Sequence, residues 1–157
     1  MEKELIKSLA KMEFIVKKFN TLSIEELYAI LQLRSEVFVV EQDCVYQDVD
    51  FKDQKALHVF GIKKDTIVAY TRIFKPGDYF KEASIGRVVV KDTERKYGYG
   101  YDLMNASIKA VQSEFNTIKV TISAQVYLTK FYNSLGFKQV GEEYLEDGIP
   151  HIEMIRK

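Results

Sequence analysis

The chain has 157 residues, 46% hydrophobic and 29% charged, enough for one globular domain that buries a full core. Its 23 basic and 23 acidic residues cancel, so no global field draws it toward nucleic acid or an anionic membrane, and partners must be chosen by a local site. The single cysteine, Cys44, cannot form an internal disulfide, and no Cys/His pairs stand at zinc-ligand spacing, which favours a reducing compartment and no structural metal.

The lead Met1-Glu2-Lys3-Glu4-Leu5 is charged and opens no apolar run of signal or membrane-spanning length, so a cytoplasmic setting without a membrane partner is expected. No repeat, low-complexity tract or linker divides the chain, and residues 1–157 read as one domain with an N-terminal extension over 1–12. Phe14 to Phe19 reads as a first strand. Ser23-Ile24-Glu25-Glu26 is a capping box, in which the Ser23 hydroxyl takes the Glu26 N–H and the Glu26 carboxylate returns to Ser23. The helix it starts carries Leu27, Ile30, Leu31, Arg34, Val37 and Phe38 at spacings near 3.6, one buried stripe. Residues 39–56 read as irregular and acidic, with Glu41, Asp43, Asp48, Asp50 and Asp53.

Strand patterns follow at Leu57 to Ile62, Thr66 to Phe74 and Ser84 to Lys91, and their short connections predict an antiparallel meander. A helix spans Gly98 to Phe115, a strand Ile118 to Ser123, and a short helix Tyr127 to Leu135, stopped at Gly136. Phe137 to Tyr144 and His151 to Ile155 form a closing hairpin around Glu146-Asp147-Gly148. The order predicts a mixed α/β sheet, with a parallel crossover where the 98–115 helix joins its flanking strands.

The most informative segment is Arg95-Lys96-Tyr97-Gly98-Tyr99-Gly100, an Arg-x-x-Gly-x-Gly run between the β-branched stretch Val88-Val89-Val90 and a helix start. Such a loop aims backbone N–H groups and the positive end of a helix dipole at one point, which suits a phosphate. The dinucleotide fingerprint fails, because Leu103 stands where its third glycine belongs and Ile118, Lys119 and Val120 stand where its ribose-binding acid belongs. The Walker pattern is missing too.

This loop resembles the acetyl-coenzyme A loop, Gln/Arg-x-x-Gly-x-Gly/Ala, of the GNAT N-acetyltransferases. Phe131-Tyr132-Asn133-Ser134-Leu135-Gly136-Phe137, beginning 31 residues after Gly100, matches a second segment of that superfamily. Leu33-Arg34, Val37 to Gln42, Cys44, Tyr46-Gln47-Asp48, Asp50, His58, Ile85-Gly86-Arg87-Val88, Ala124-Gln125 and Glu146 to His151 resemble its ElaA-like subgroup. One departure is Asp92, where the family often has proline.

The resemblance implies a mainly antiparallel sheet with flanking helices and one splayed parallel pair, the pantetheine arm lying in the gap. It implies acetyl-CoA as co-substrate, with backbone groups of Val88, Val89 and Val90 along the arm and one of those N–H groups supporting the oxyanion. Arg95, Lys96, Tyr97, Gly98, Tyr99, Gly100 and Tyr101 form the pyrophosphate loop. Tyr132 is the expected acid for the departing thiolate, since an ordinary phenol stays protonated at neutral pH. The acidic segment borders the acceptor cleft in this fold, so Glu41, Asp48 and Asp50 are the expected contacts of a small cationic amine that attacks directly. A protein N-terminal or lysine acetyltransferase, or a non-catalytic acyl-CoA-binding module, are the alternatives. A homodimer through the final hairpin is a further implication, and Cys44, His58 and His151 have no assigned role.

Overall fold

The computed structural model describes residues 12–157; all of the expected N-terminal extension except Met12 lies outside the described residues. Seven strands, β1 (Glu13–Lys18), β2 (Leu57–Lys63), β3 (Thr66–Phe74), β4 (Ala83–Val90), β5 (Val120–Gln125), β6 (Lys138–Glu146) and β7 (Ile149–Arg156), form one sheet in the order β1-β2-β3-β4-β5-β7-β6. All neighbours are antiparallel except β4 and β5. Helices α1 (Ile24–Arg34), α2 (Tyr99–Phe115) and α3 (Thr129–Asn133) flank it. Among the described residues no helix is long and apolar enough to cross a membrane.

The capping box forms as the sequence predicts, with Glu26 N–H donating to Ser23 Oγ at 3.0 Å and Ser23 N–H donating to Glu26 Oε1 at 2.8 Å. Beyond Arg34 the helical path continues, and the chain becomes irregular only from residue 42. The path widens into a π-helical turn over Ser35–Glu41, with Gln42 N–H reaching Val37 O at 3.1 Å and Cys44 N–H reaching Val39 O at 3.1 Å. This corrects the expected loop start at residue 39; a π turn has no composition cue, because only the spacing of its hydrogen bonds distinguishes it from an α turn.

Strand alternation places the two larger hydrophobic clusters on opposite sheet faces. Phe60, Tyr70 and Val89 meet Ile30, Leu33 and Val37 on one face, and Val59, Ile73 and Ile85 meet Met104 and Val111 of α2 on the other. Beneath α2 the Thr71 and Ser107 hydroxyls lie 2.6 Å apart, and Ser107 donates to Leu103 O at 2.8 Å, so these buried polar groups are satisfied.

The register shifts in the β2–β3, β3–β4 and β6–β7 pairs, and the shift in β4 concerns the site. Gly86 faces Arg72 and Val89 faces Tyr70, so Arg87 and Val88 together oppose Thr71, a β-bulge. Arg87 is the extra residue, with φ +50°. The bulge leaves Val88 and Val89 on the faces where each packs, and turns the Arg87 side chain out of the ladder.

Candidate active site

β4 and β5 are hydrogen-bonded only at their first residues, Ala83 with Val120 and Ser84 with Thr121. Beyond that the strands part, and among the described residues no strand pairs with the β5-facing edge of Ile85–Val90. A cleft of about 590 Å³ opens there, lined by Val88, Val89, Val90, Gly98, Gly100 and Tyr132 among others.

At one end of the cleft is the glycine loop. Gly98 has φ +74°, and a methyl group added to it would meet nothing within 4 Å. One added to Gly100 would lie 3.5 Å from Phe131. Gly98 precedes α2, whose N-terminus has no side-chain cap. The loop is therefore open to an anionic group at a helix start. Arg95 reaches into it, donating from Nε to Val90 O at 3.0 Å and pairing through Nη1 with Glu41 Oε2 at 2.7 Å. Of the seven loop residues expected to hold a pyrophosphate, Arg95, Gly98, Gly100 and Tyr101 line the cleft, whereas Lys96, Tyr97 and Tyr99 do not. The Lys63 ammonium sits 4.1 Å from the Tyr97 ring centre and 5.2 Å from that of Tyr99, and Lys96 lies 5.2 Å from Tyr97. Their side chains brace the outside of the loop.

Tyr132 lies on the other wall, nearly buried at 5% exposure, between the rings of Phe131 and Phe137. Gly136, at φ +90°, closes α3 by letting Phe137 N–H reach Tyr132 O at 3.1 Å. Burial pushes the Tyr132 hydroxyl above its usual range, so it holds its proton. Among the described residues, none hydrogen-bonds that hydroxyl.

The acidic segment is not a free acceptor wall. Asp48 accepts from Arg34 Nε at 2.9 Å, lies 2.8 Å from Arg87 Nε, and accepts from Tyr46 Oη at 2.8 Å. Asp50 accepts from Arg72 Nη2 at 2.7 Å, and Asp53 from both Arg34 and Arg72 at 2.8 and 3.0 Å. Burial would raise the Asp50 carboxyl, but the Arg72 hydrogen bonds and charge overcome it and hold the group well below the usual carboxylate range. Neither Asp48 nor Asp50 lines the cleft. This corrects their expected role as substrate contacts: buried carboxylates require paired cations, and here three arginines supply them. Glu41 does line the cleft, but at the loop end, neutralised by Arg95.

His58, fully buried, belongs to the same network. Its Nε2 faces Asp53 O at 2.9 Å and must donate, so Nδ1 accepts from Tyr70 Oη at 2.6 Å. Burial lowers its pKa and keeps it neutral. The role is structural.

The far end of the cleft is built from residues to which no role was assigned. His151 donates from Nδ1 to Ile149 O at 2.7 Å, and its Nε2 lies 3.1 Å from Glu146 Oε2. Cys44 Sγ donates to Asp147 O at 3.5 Å, and Gln125 Nε2 donates to Gln42 Oε1 at 3.3 Å. These two contacts lash the segment after the π turn to the far side of the gap. In the sequence Glu146 and Asp147 read as a hairpin turn within a family-like segment and not as part of a site, because their nearness to β4 depends on the sheet order.

Residues 20–157 match the family profile described as Acetyltransferase (GNAT) domain. Protein ElaA of Escherichia coli strain K12 is 45% identical over 140 residues, 88% of this chain and 92% of that one. Its crystal structure superposes with a TM-score of 0.87, covering 94% of this chain and all of the other. An acyl-CoA N-acyltransferase from Pseudomonas aeruginosa, 40% identical, also gives 0.87 and covers 92% of this chain and 99% of its own. An aminoglycoside 6'-N-acetyltransferase complexed with coenzyme A shares the fold, at 17% identity and a TM-score of 0.67 over 90% of this chain and 96% of its own.

Proposed function

From the premise that this chain belongs to the GNAT acetyltransferase family, and is thus an acyl-CoA-dependent acyltransferase, we propose that it transfers acetyl from acetyl-CoA to a primary amine of a small molecule. The observation that carries this reading is the parting of β4 from β5 after Ser84, with the open Gly98–Gly100 loop at one end of the gap and Tyr132 on its wall.

Bound acetyl-CoA supplies an activated thioester, and the residues fit it: an unpaired strand edge for its amides and a side-chain-free helix start for its phosphates. Gly98 and Gly100 admit the diphosphate, with Arg95 as the adjacent cation. The β4 backbone beside the bulge aligns the arm and polarises the carbonyl. Val90 O already accepts from Arg95, so the remaining β4 groups carry that alignment. Tyr132 keeps a proton on Oη for the departing sulfur. The amine arrives as an ammonium ion attracted by Glu146 and Asp147, and the Glu146–His151 pair takes its proton, replacing the aspartates that the sequence suggested.

Release of free thiol from acetyl-CoA, followed across a panel of amines, tests the reading. Acceptor-dependent thiol release supports it. An absence of thiol release with every amine, from protein that binds the cofactor, rejects the catalytic assignment.

A further inference from the structure

The acceptor end of the cleft is charged with opposite signs on its two sides. Arg34, Arg72 and Arg87 are matched by Asp48, Asp50 and Asp53 in the buried network. Of these six, only Arg72 and Arg87 line the cleft. The network is neutral in sum, yet it turns its cationic edge inward.

That edge has unused donors. Arg87 donates from Nη2 to Asp48 O and Asp50 Oδ2; its Nε lies 2.8 Å from Asp48 Oδ1 but makes no hydrogen bond, and its Nη1 has no hydrogen-bond partner among the described residues. Its side chain is 22% exposed, and the bulge in β4 aims it out of the ladder. Arg72 and Ser84 are each 2% exposed; Arg72 Nε and Ser84 Oγ are buried without a hydrogen-bond partner, and both residues line the cleft. Since Arg72 opposes Gly86 and Phe74 opposes Ser84, the two share a sheet face and are diagonal neighbours. Buried polar groups without partners are rare, and these have hydrogen-bonding capacity to offer a group in the cleft. These two buried groups, from β3 and β4, and the partly exposed Arg87 guanidinium line the same cleft.

Across the gap, Glu146, Asp147 and His151 line the same cleft from β6, β7 and their turn. A simple amine or a polyamine would use this side only.

We propose that the acceptor is an amino acid: its carboxylate is held by Arg87 with Arg72 and Ser84, and its ammonium faces Glu146 and Asp147. Arginine suits this role, because its fixed fork binds a carboxylate with directed hydrogen bonds. Aromatic residues Phe74, Tyr79 and Phe80 at the same end leave an apolar berth for a side chain. The proposal rests on the transferase reading above and narrows its substrate class.

Matched pairs test it: phenylalanine against phenethylamine, leucine against isopentylamine, and lysine against cadaverine, each assayed for thiol release. The expected result is kcat/KM higher by about tenfold or more for at least one carboxylate-bearing member, the size of a charge-assisted hydrogen bond. In Arg87→Gln and Ser84→Ala the ratio within that pair should collapse toward one, whereas a merely structural defect would lower both members equally. Equal turnover of the members of every pair, or a preference for the decarboxylated amines, would overturn the proposal while leaving the transferase reading intact. Binding is read separately, by titrating each pair into the protein with coenzyme A. Heat from at least one amino acid and not from its twin supports the proposal; no difference in any pair overturns it even where turnover is undetected.

Discussion

Arg95 Nη1 lies 2.7 Å from Glu41 Oε2, so the cation expected to meet a diphosphate is tied to the last residue of the π turn. The pair joins two elements 54 positions apart in sequence and sits at the mouth of the glycine loop. Both side chains are more than a third exposed, and such a pair is worth little by itself in stability. Its consequence is electrostatic: Glu41 competes for the guanidinium and places a negative charge beside the loop proposed to take the diphosphate.

Replacing Glu41 with Gln should therefore tighten coenzyme A binding, by about two- to fivefold at low salt. Arg95→Gln should weaken it about tenfold. Calorimetric titrations at two ionic strengths check both signs; weaker binding by Glu41→Gln would mean that the carboxylate chiefly orients Arg95.

Gly98 separates backbone strain from blockage. Gly98→Ala places a methyl group in open space but at φ +74°, so it should cost about 1 kcal/mol of stability and leave cofactor binding measurable. Gly98→Glu and Gly100→Glu should abolish binding by putting bulk and negative charge in the loop. Thermal melts and cofactor titrations on the same variants read the two effects independently.

Tyr132→Phe removes a buried hydroxyl that has no hydrogen-bond partner among the described residues, so the melting temperature should hold. If that hydroxyl protonates the departing sulfur, kcat should fall about 100-fold with coenzyme A affinity within about twofold. A variant with near-normal kcat would remove Tyr132 from the chemistry.

Asp50 links the buried network to pH. Its folded-state pKa is depressed, so its contribution to stability is complete above its unfolded value of about 3.9. That contribution is lost as pH falls below this value toward the folded one. Asp50→Asn should cost about 2–3 kcal/mol at neutral pH, because it leaves Arg72 and Arg87 short of a counter-charge. The variant's denaturant midpoint should also respond less to acid below about pH 4 than that of the parent. Parallel pH dependences in the two proteins would contradict the assignment.

Features written in short stretches of chain were legible in advance. The capping box at Ser23 and Glu26 needs four consecutive residues, and it formed. The meander of β2, β3 and β4 follows from alternation and short turns, and the glycine loop from Gly98 and Gly100 at a helix start. The π turn over 35–41 was not legible. Nor was the bulge at Arg87, since the residue there carries no glycine signal for its positive φ.

The acidic segment shows where local reading ends. A run of carboxylates looks solvated or substrate-facing when its partners are unknown. Arg72 and Arg87, which bury Asp48 and Asp50, come from strands 22 or more positions away, and only the folded sheet brings them together.

The sequence by itself determined the order of elements, the mixed α/β class, the glycine loop and the family, because each depends on residue identity at fixed short spacing. Tertiary structure alone decided which charges face the cleft: it buried Asp48 and Asp50, turned Arg72 and Arg87 inward, and carried Glu146 and His151 to the far side of the gap. The reason is that burial and ion pairing depend on distance in space, which strand order and a one-residue bulge set and composition does not.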